Sequence, residues 1–395
     1  MKINCTSRLK DNPFFRHCPE ERMAASGLKP DLHQKISVRG MCARPLDFIT
    51  REQLADRELW KKFVEQYRLK SDTPKQEWRS EYWGKMMRGA AFVCSVTQDD
   101  GLYAVLEETV RDLLSVQDED GAFSTYAPEV QFRMWDIWGR KYILLGLLCF
   151  HNICRDEKLR RQILSAAMRH ADAILAHVGN DSDEKMQIEQ TSLSRIGQPV
   201  HGAMNSLSVL EPMVMLYRAT GNKTYLDFAT YLVEIGARAC GNIFELAYVD
   251  RLAPYQYPFT KAYEMMSCYD GLLELYKITK NPDYLKAVEA TVRNIIDEEI
   301  NIAGSGSAFE CFYHGKRLQT DPAYHTMETC VTMTWMKLCQ NLLDLTKNPL
   351  YADQIEKTTY NALLAALKED AGQIAKYSPL EGVRSAGEHQ CGMHV

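Results

Sequence analysis

The stretch Leu216-Tyr-Arg-Ala-Thr220-Gly-Asn-Lys-Thr-Tyr225-Leu-Asp-Phe-Ala229 recurs as Leu275-Tyr-Lys-Ile-Thr279-Lys-Asn-Pro-Asp-Tyr284-Leu-Lys-Ala-Val288. It recurs again as Leu342-Leu-Asp-Leu-Thr346-Lys-Asn-Pro-Leu-Tyr351-Ala-Asp353, with weaker copies around Thr97 and Cys154. The anchors 97, 154, 220, 279 and 346 lie 57, 66, 59 and 67 residues apart. Each copy closes an apolar helix, turns through Gly, Asn or Pro, and opens an amphipathic helix. Asn281 and Asn348 suit an N-cap, and Pro282 and Pro349 a first helical turn, where the missing N–H costs nothing. A two-helix unit of this length exceeds the roughly 34–47 residues of common helical solenoid repeats. The surplus fits long loops at one end of a closed ring. The predicted fold is therefore all-α, an (α/α)6 toroid of helical hairpins; the competing reading is an open α-solenoid.

Outward from this core the chain is less regular. Residues 1–50 carry Cys18-Pro19 and Arg44-Pro45 and little periodicity, and read as an irregular N-terminal wrap. The barrel is expected over 51–370. Residues 371–395 lose helical pattern, and Lys376-Tyr-Ser-Pro-Leu-Glu-Gly382 reads as a turn or the first residues of a strand. They are expected to open a β-domain that this chain does not include.

Composition excludes several functions. A net charge of −5 without a basic run argues against nucleic acid. Met1 to Lys10 lacks the apolar core of a signal peptide, and no apolar run approaches the roughly 20 residues that span a bilayer. The 12 cysteines are scattered, several of them (Cys94, Cys149, Cys268, Cys339) in apolar helical stretches where Cys is a small hydrophobe. Free thiols and a cytoplasmic location are expected.

Several places carry candidate chemistry. Glu310 ends the loop Ala303-Gly-Ser-Gly-Ser-Ala-Phe309. Such a loop is flexible and lets a ligand approach, and a partly desolvated carboxyl there can hold its proton near neutral pH and act as a general acid; the alternative is a solvated loop carboxylate. Glu328 and Cys330 stand two apart where a helix from Thr329 to Leu345 begins, with Thr326 as its expected N-cap. In mid-helix they would diverge by about 200°; at an extended helix start they can share a face. Together they offer two zinc ligands, where a site takes three or four; the plainer reading is a buried Cys beside a first-turn Glu. Trp135-Asp-Ile-Trp-Gly-Arg-Lys141 places Trp135 and Trp138 on one helical face, with Asp136 and Lys141 nearby, as sugar recognition or core packing would require. Glu77-Trp78 with Tyr82-Trp83, and Tyr263-Glu264-Met-Met-Ser-Cys268, have the same character. His201 is a lone histidine. There is no phosphate-cradling Gly loop and no GxSxG elbow.

Taken together these segments resemble glycoside hydrolase family 127, the β-L-arabinofuranosidase-like proteins. The resemblance runs through Glu81-Tyr-Trp-Gly-Lys85, Leu114-Ser-Val-Gln-Asp-Glu-Asp-Gly121, Trp135 to Lys141, Gly241-Asn-Ile-Phe-Glu-Leu-Ala247 and Lys261 to Cys268. It continues through Met327-Glu-Thr-Cys-Val-Thr332, Tyr377-Ser-Pro-Leu-Glu-Gly382 and Glu388-His-Gln-Cys-Gly-Met393. It implies an (α/α)6 catalytic barrel followed by β-sandwich domains, and a retaining hydrolase with a cysteine nucleophile on zinc. Glu310 matches the acid/base position and Glu328 and Cys330 the first metal pair. An adjacent cysteine pair, including the nucleophile, belongs after Gln390-Cys-Gly-Met-His-Val395, so the chain by itself is expected to be inactive. The implied substrate is an oligosaccharide of pectin or arabinan origin. The histidines that line the sugar site in family members have no plain match here; Lys141 and Lys261 lie near where two of them would fall, which leaves the sugar open. Two other readings compete: a non-catalytic carbohydrate-binding barrel, and an (α/α)6 epimerase or unsaturated-uronide hydrolase.

Overall fold

The computed structural model describes residues 36–73, 78–182, 184–193, 200–237, 241–321, 325–368 and 373–381. Numbered along the chain, the helices of seven or more residues are α1 (Arg57–Leu69), α2 (Tyr82–Thr97), α3 (Asp100–Leu114), α4 (Asp136–Ile153), α5 (Glu157–His177) and α6 (Leu210–Thr220). They continue with α7 (Lys223–Ile235), α8 (Ile243–Val249), α9 (Ala262–Thr279), α10 (Pro282–Glu298), α11 (Thr329–Thr346) and α12 (Pro349–Thr358). The described residues contain no extended strand, only isolated β-bridges. The chain divides into two compact units whose boundary, between Phe228 and Ala229, falls within α7.

The repeat proves to be a hydrogen-bonded turn. Each anchor threonine is the last residue of its helix, and its hydroxyl donates back to the carbonyl four residues earlier: Thr220 to Leu216 at 2.8 Å, Thr279 to Leu275 at 3.0 Å, Thr346 to Leu342 at 2.8 Å. The same oxygen accepts the N–H of Asn222, Asn281 or Asn348 two residues on, at 3.2–3.3 Å. The residue between is left-handed (Gly221, Lys280, Lys347) and ends the helix. Asn281 and Asn348 then cap the next helix through Asp283 N and Leu350 N, ahead of Pro282 and Pro349. Thr-x-Asn-Pro is thus a complete stop-and-restart signal. The helices on either side differ as the pattern requires. α4 is buried over nearly its whole circumference, and so is α9 to Leu275. α10 buries one stripe, Tyr284, Ala287, Val288, Thr291, Val292 and Ile295.

Within the first unit α2 and α4 touch backbone to backbone. A Cβ on Gly84 would lie 2.0 Å from the Tyr142 carbonyl oxygen, and one on Gly146 would lie 3.0 Å from Gly84 Cα. No side-chain motion relieves the first clash, because the obstacle is main chain. Gly84→Ala is expected to destabilise this unit by about 2 kcal/mol or more, read as a lowered midpoint in urea.

Candidate functional site

The Gly/Ser loop is not the flexible element its composition predicts. Ser305 and Ser307 are fully buried. Asn301 Oδ1 accepts Ala303 N at 3.0 Å, Thr358 Oγ1 donates to the Gly304 carbonyl at 2.6 Å, and the Ser305 and Thr332 hydroxyls meet at 2.6 Å. The loop is then laced to three other segments of its unit. Ala262 N donates to Glu310 O at 2.9 Å, and Phe312 N to Thr260 O at 2.8 Å. Phe309 N donates to His325 O at 2.8 Å, and Met327 N to Ser307 O at 3.0 Å. Thr329 N donates to Lys376 O at 2.8 Å, with Glu328 and Tyr377 in an antiparallel bridge. Residues 260–264, 305–312, 325–330 and 375–378 therefore converge. Ser307, Phe309, Glu310 and Met327 all sit at positive φ, between +48° and +78°. Such strain in non-glycine residues concentrates at functional sites.

Glu310 lies at the point of convergence. Its Oε2 accepts from Lys261 Nζ; its Oε1 accepts from Lys376 Nζ at 2.6 Å and from the Tyr377 hydroxyl at 3.3 Å. Burial alone would raise the carboxyl, but Lys261 and Lys376 overcome it and hold it down at about 2. The expectation of a carboxyl protonated near neutrality is thus reversed in this state: Glu310 is an ionised base with both oxygens engaged. Lys261 is held in turn by acids. Burial disfavours its ammonium, but Glu264, Glu310 and Glu328 together raise it above the ordinary lysine value. Glu264, 2% exposed in the first turn of α9, keeps a buried Oε2 that no hydrogen bond reaches. Tyr263 is half-buried beside it.

Glu328 is buried and is itself the N-cap residue of α11, in extended conformation (φ −57°, ψ 132°), so Cys330 falls at the second helical position. Thr326, expected as the cap, instead pairs with Ala308, and its hydroxyl has no hydrogen-bond partner. Among the described residues no group of three His, Cys, Asp or Glu side chains is placed to hold a metal ion. Glu328 and Cys330 are two donors of the three or four that zinc takes. Cys391 and its neighbours lie outside the described residues. The described cysteines form no disulfide, and no described helix is long and apolar enough to cross a membrane.

The Trp-rich segment sits in the other unit and separates into core and surface. Asp136 is fully buried and saturated: it accepts from Ser124 Oγ at 2.5 Å, Phe132 N at 2.8 Å and Arg140 Nε at 2.9 Å. It is a structural counter-ion, not a ligand for sugar hydroxyls as expected. Trp138 is 2% exposed and gives its indole N–H to Glu81. Lys141 is buried, 3.9 Å above the Trp138 ring centroid, and donates to Ser208 Oγ at 3.2 Å. These three are core. Trp135 precedes the helix rather than sharing its face with Trp138. Half-buried, it meets Trp78, Trp138 and His201 at ring-centroid distances of 6.5, 5.7 and 5.8 Å. His201 reaches it from a left-handed run, His201 to Ala203, with φ of 46°, 65° and 70°. Glu77 lies outside the described residues.

The site residues that sequence reasoning missed are Lys376 and Tyr377. Their signals are the run Lys376-Tyr-Ser-Pro, which reads locally as a turn, and the family resemblance through Tyr377 to Gly382.

Comparison with known proteins gives a consistent picture. The chain is 22% identical over 333 residues to a non-reducing end β-L-arabinofuranosidase of Bifidobacterium longum subsp. longum, covering 75% of this chain and 47% of that protein. It superimposes on a GH127 β-L-arabinofuranosidase from Geobacillus stearothermophilus T6 with a TM-score of 0.63 at 17% identity, over 88% of this chain and 58% of the other. It also superimposes on a cellobiose 2-epimerase from Bacillus thermoamylovorans B4167 with a TM-score of 0.56 at 13% identity, over 83% and 92%. These likenesses establish the fold class as the (α/α)6 toroid that the repeat predicts. The chain spans about half the length of the curated arabinofuranosidase it matches. Residues 9–393 match the family described as β-L-arabinofuranosidase, GH127 catalytic domain, and the chain belongs to that family.

Proposed function

We propose that this chain is the catalytic domain of a β-L-arabinofuranosidase-like glycoside hydrolase acting on an oligosaccharide of arabinan or pectin origin, with Glu310 as the acid/base. The observation that carries the reading is the convergence of four chain segments on one carboxylate, linked through Tyr377 to the Glu328–Cys330 helix start, in a chain of this family. A retaining route asks one carboxyl to give a proton to the leaving oxygen and later take one from water. Glu310 as it stands can take a proton. To give one it must first be protonated, which requires a bound sugar to draw Lys376 or Lys261 away from it. Glu264 Oε2, buried beside Lys261 without a hydrogen bond, is suited to accept a sugar hydroxyl. The retaining course, a cysteine nucleophile and zinc belong to the same proposal, with Glu328 and Cys330 as two of the zinc ligands. Zinc bound there would keep the thiol ionised.

The test is release of L-arabinose from 4-nitrophenyl β-L-arabinofuranoside by the natural full-length protein, with zinc content measured alongside. Cys330→Ala is expected to lower both zinc content and turnover by at least tenfold. Retained activity in Cys330→Ala, with conversion of cellobiose in place of arabinofuranoside cleavage, would put the chain with the epimerases whose fold it shares.

A further inference from the structure

Beside Glu310 the same strained loop presents a large apolar side chain to solvent. Phe309 is 56% exposed, although it is the immediate neighbour of a buried strand-like stretch. Its backbone is left-handed, φ 48°, and Glu310 follows at 67°. A bulky residue in that region is an outlier that the surroundings must enforce. The enforcement is visible in Phe309 N bonded to His325 O and Ala308 N bonded to Cys311 O, both at 2.8 Å. The ring lies flat on His325, with centroids 4.6 Å apart and planes 17° from parallel. His325 in turn stands edge-on to Tyr377 at 5.0 Å, and Tyr377 donates to Glu310. A ring with one face covered and more than half its surface exposed has its other face open. Phe309 directly precedes Glu310 in the chain, and its covered face leads through His325 and Tyr377 to the same carboxylate.

We propose that the open face of Phe309 is a sugar subsite that stacks the leaving-group residue of the glycan. The occupant is a pyranose or furanose ring offering its C–H face, the chemistry that flat, partly exposed aromatic rings recognise. Its place follows from adjacency: the acid/base must reach the glycosidic oxygen, and the ring attached to that oxygen on the departing side lies next to it. His325 holds the Phe309 ring flat, and the left-handed backbone turns it out of the core. This rests on the reading of Glu310 as the acid/base of a glycosidase, and it adds a subsite that makes the enzyme prefer an oligosaccharide to a simple glycoside.

The experiment compares wild type, Phe309→Ala and Phe309→Trp by calorimetry. The probes are a β-L-arabinofuranosyl disaccharide and methyl β-L-arabinofuranoside, with galactobiose and methyl galactoside as a second series. Wild type is expected to bind the disaccharide of one series about tenfold more tightly than its methyl glycoside. Phe309→Ala should abolish that preference without changing methyl glycoside affinity, and Phe309→Trp should restore it. The same result in the galactose series alone upholds the subsite and discards arabinose as the sugar. Equal preference in wild type and Phe309→Ala, or no binding of any probe to wild type, overturns the subsite. In the first of those cases arabinofuranoside cleavage by wild type still stands as a separate result.

Discussion

Glu310→Gln is expected to lower glycoside turnover by about 10²–10⁴-fold, the range over which a positioned acid/base contributes. The substitution keeps the shape and removes the charge, so substrate affinity should change far less than turnover. Its second effect is on stability. The carboxylate is the shared partner of Lys261 and Lys376, and both ammonium groups are largely buried. Glu264 and Glu328 remain to offset Lys261, which limits the cost. The folded-state value of about 2 lies below the ordinary 4.5. That difference corresponds to roughly 3 kcal/mol. Because the folded value is depressed, this stability is fully present above about pH 4.5 and is lost as pH falls from there through about 2. The gap in unfolding free energy between wild type and Glu310→Gln should therefore be widest at neutral pH and close in that acid window. A gap independent of pH would show that the two lysines do not hold the carboxylate ionised. Lys376→Met removes one of the two clamps and should narrow the gap while leaving the fold intact.

Asp136→Asn is expected to be the most destabilising substitution of a side chain first read as sugar-binding. Asp136 and Arg140 are both fully buried, and the guanidinium also packs over the Phe132 ring at 4.4 Å and donates to Gln131 at 2.7 Å. Removing the carboxylate charge leaves the cation buried without its counter-ion, at a cost of about 3–5 kcal/mol. For a unit of this size that is a fall in melting temperature of about 6–20 °C. The double variant Asp136→Asn/Arg140→Met should recover much of the loss, since an apolar replacement of both partners removes the stranded charge. A neutral effect of Asp136→Asn, or a loss of sugar affinity without loss of stability, would return Asp136 to the ligand surface.

The contrast between these two acids shows what local pattern conveys. Asp136 opens a helix beside two tryptophans, and that segment reads alike whether it faces a sugar or the core. Its role is decided by Ser124, Phe132 and Arg140, which between them engage both its oxygens. Glu310 was singled out by its loop, yet its ionisation was misjudged. A carboxyl in a Gly/Ser loop is neutral or ionised according to its neighbours, and Lys376, 66 residues further on, is invisible in the local pattern. The loop's composition misleads in the same way: glycine and serine permit flexibility, but the buried Ser305 hydroxyl paired with Thr332 on α11, and the Gly304 carbonyl bonded by Thr358 of α12, remove it.

By itself the sequence determined the helical hairpins, their capping residues and turns, and the kinship with family 127. The hairpins, caps and turns depend on contacts within a few residues: a threonine hydroxyl that reaches the carbonyl one turn back and the N–H two residues on, an asparagine cap, a proline in a first turn, and a periodic apolar face. Only the tertiary structure decided which charges are neutralised, which tryptophan is half-exposed and which aromatic ring stands exposed next to Glu310. Those outcomes depend on side chains far apart in sequence meeting where burial magnifies every uncompensated charge, and no local window of the chain contains both partners.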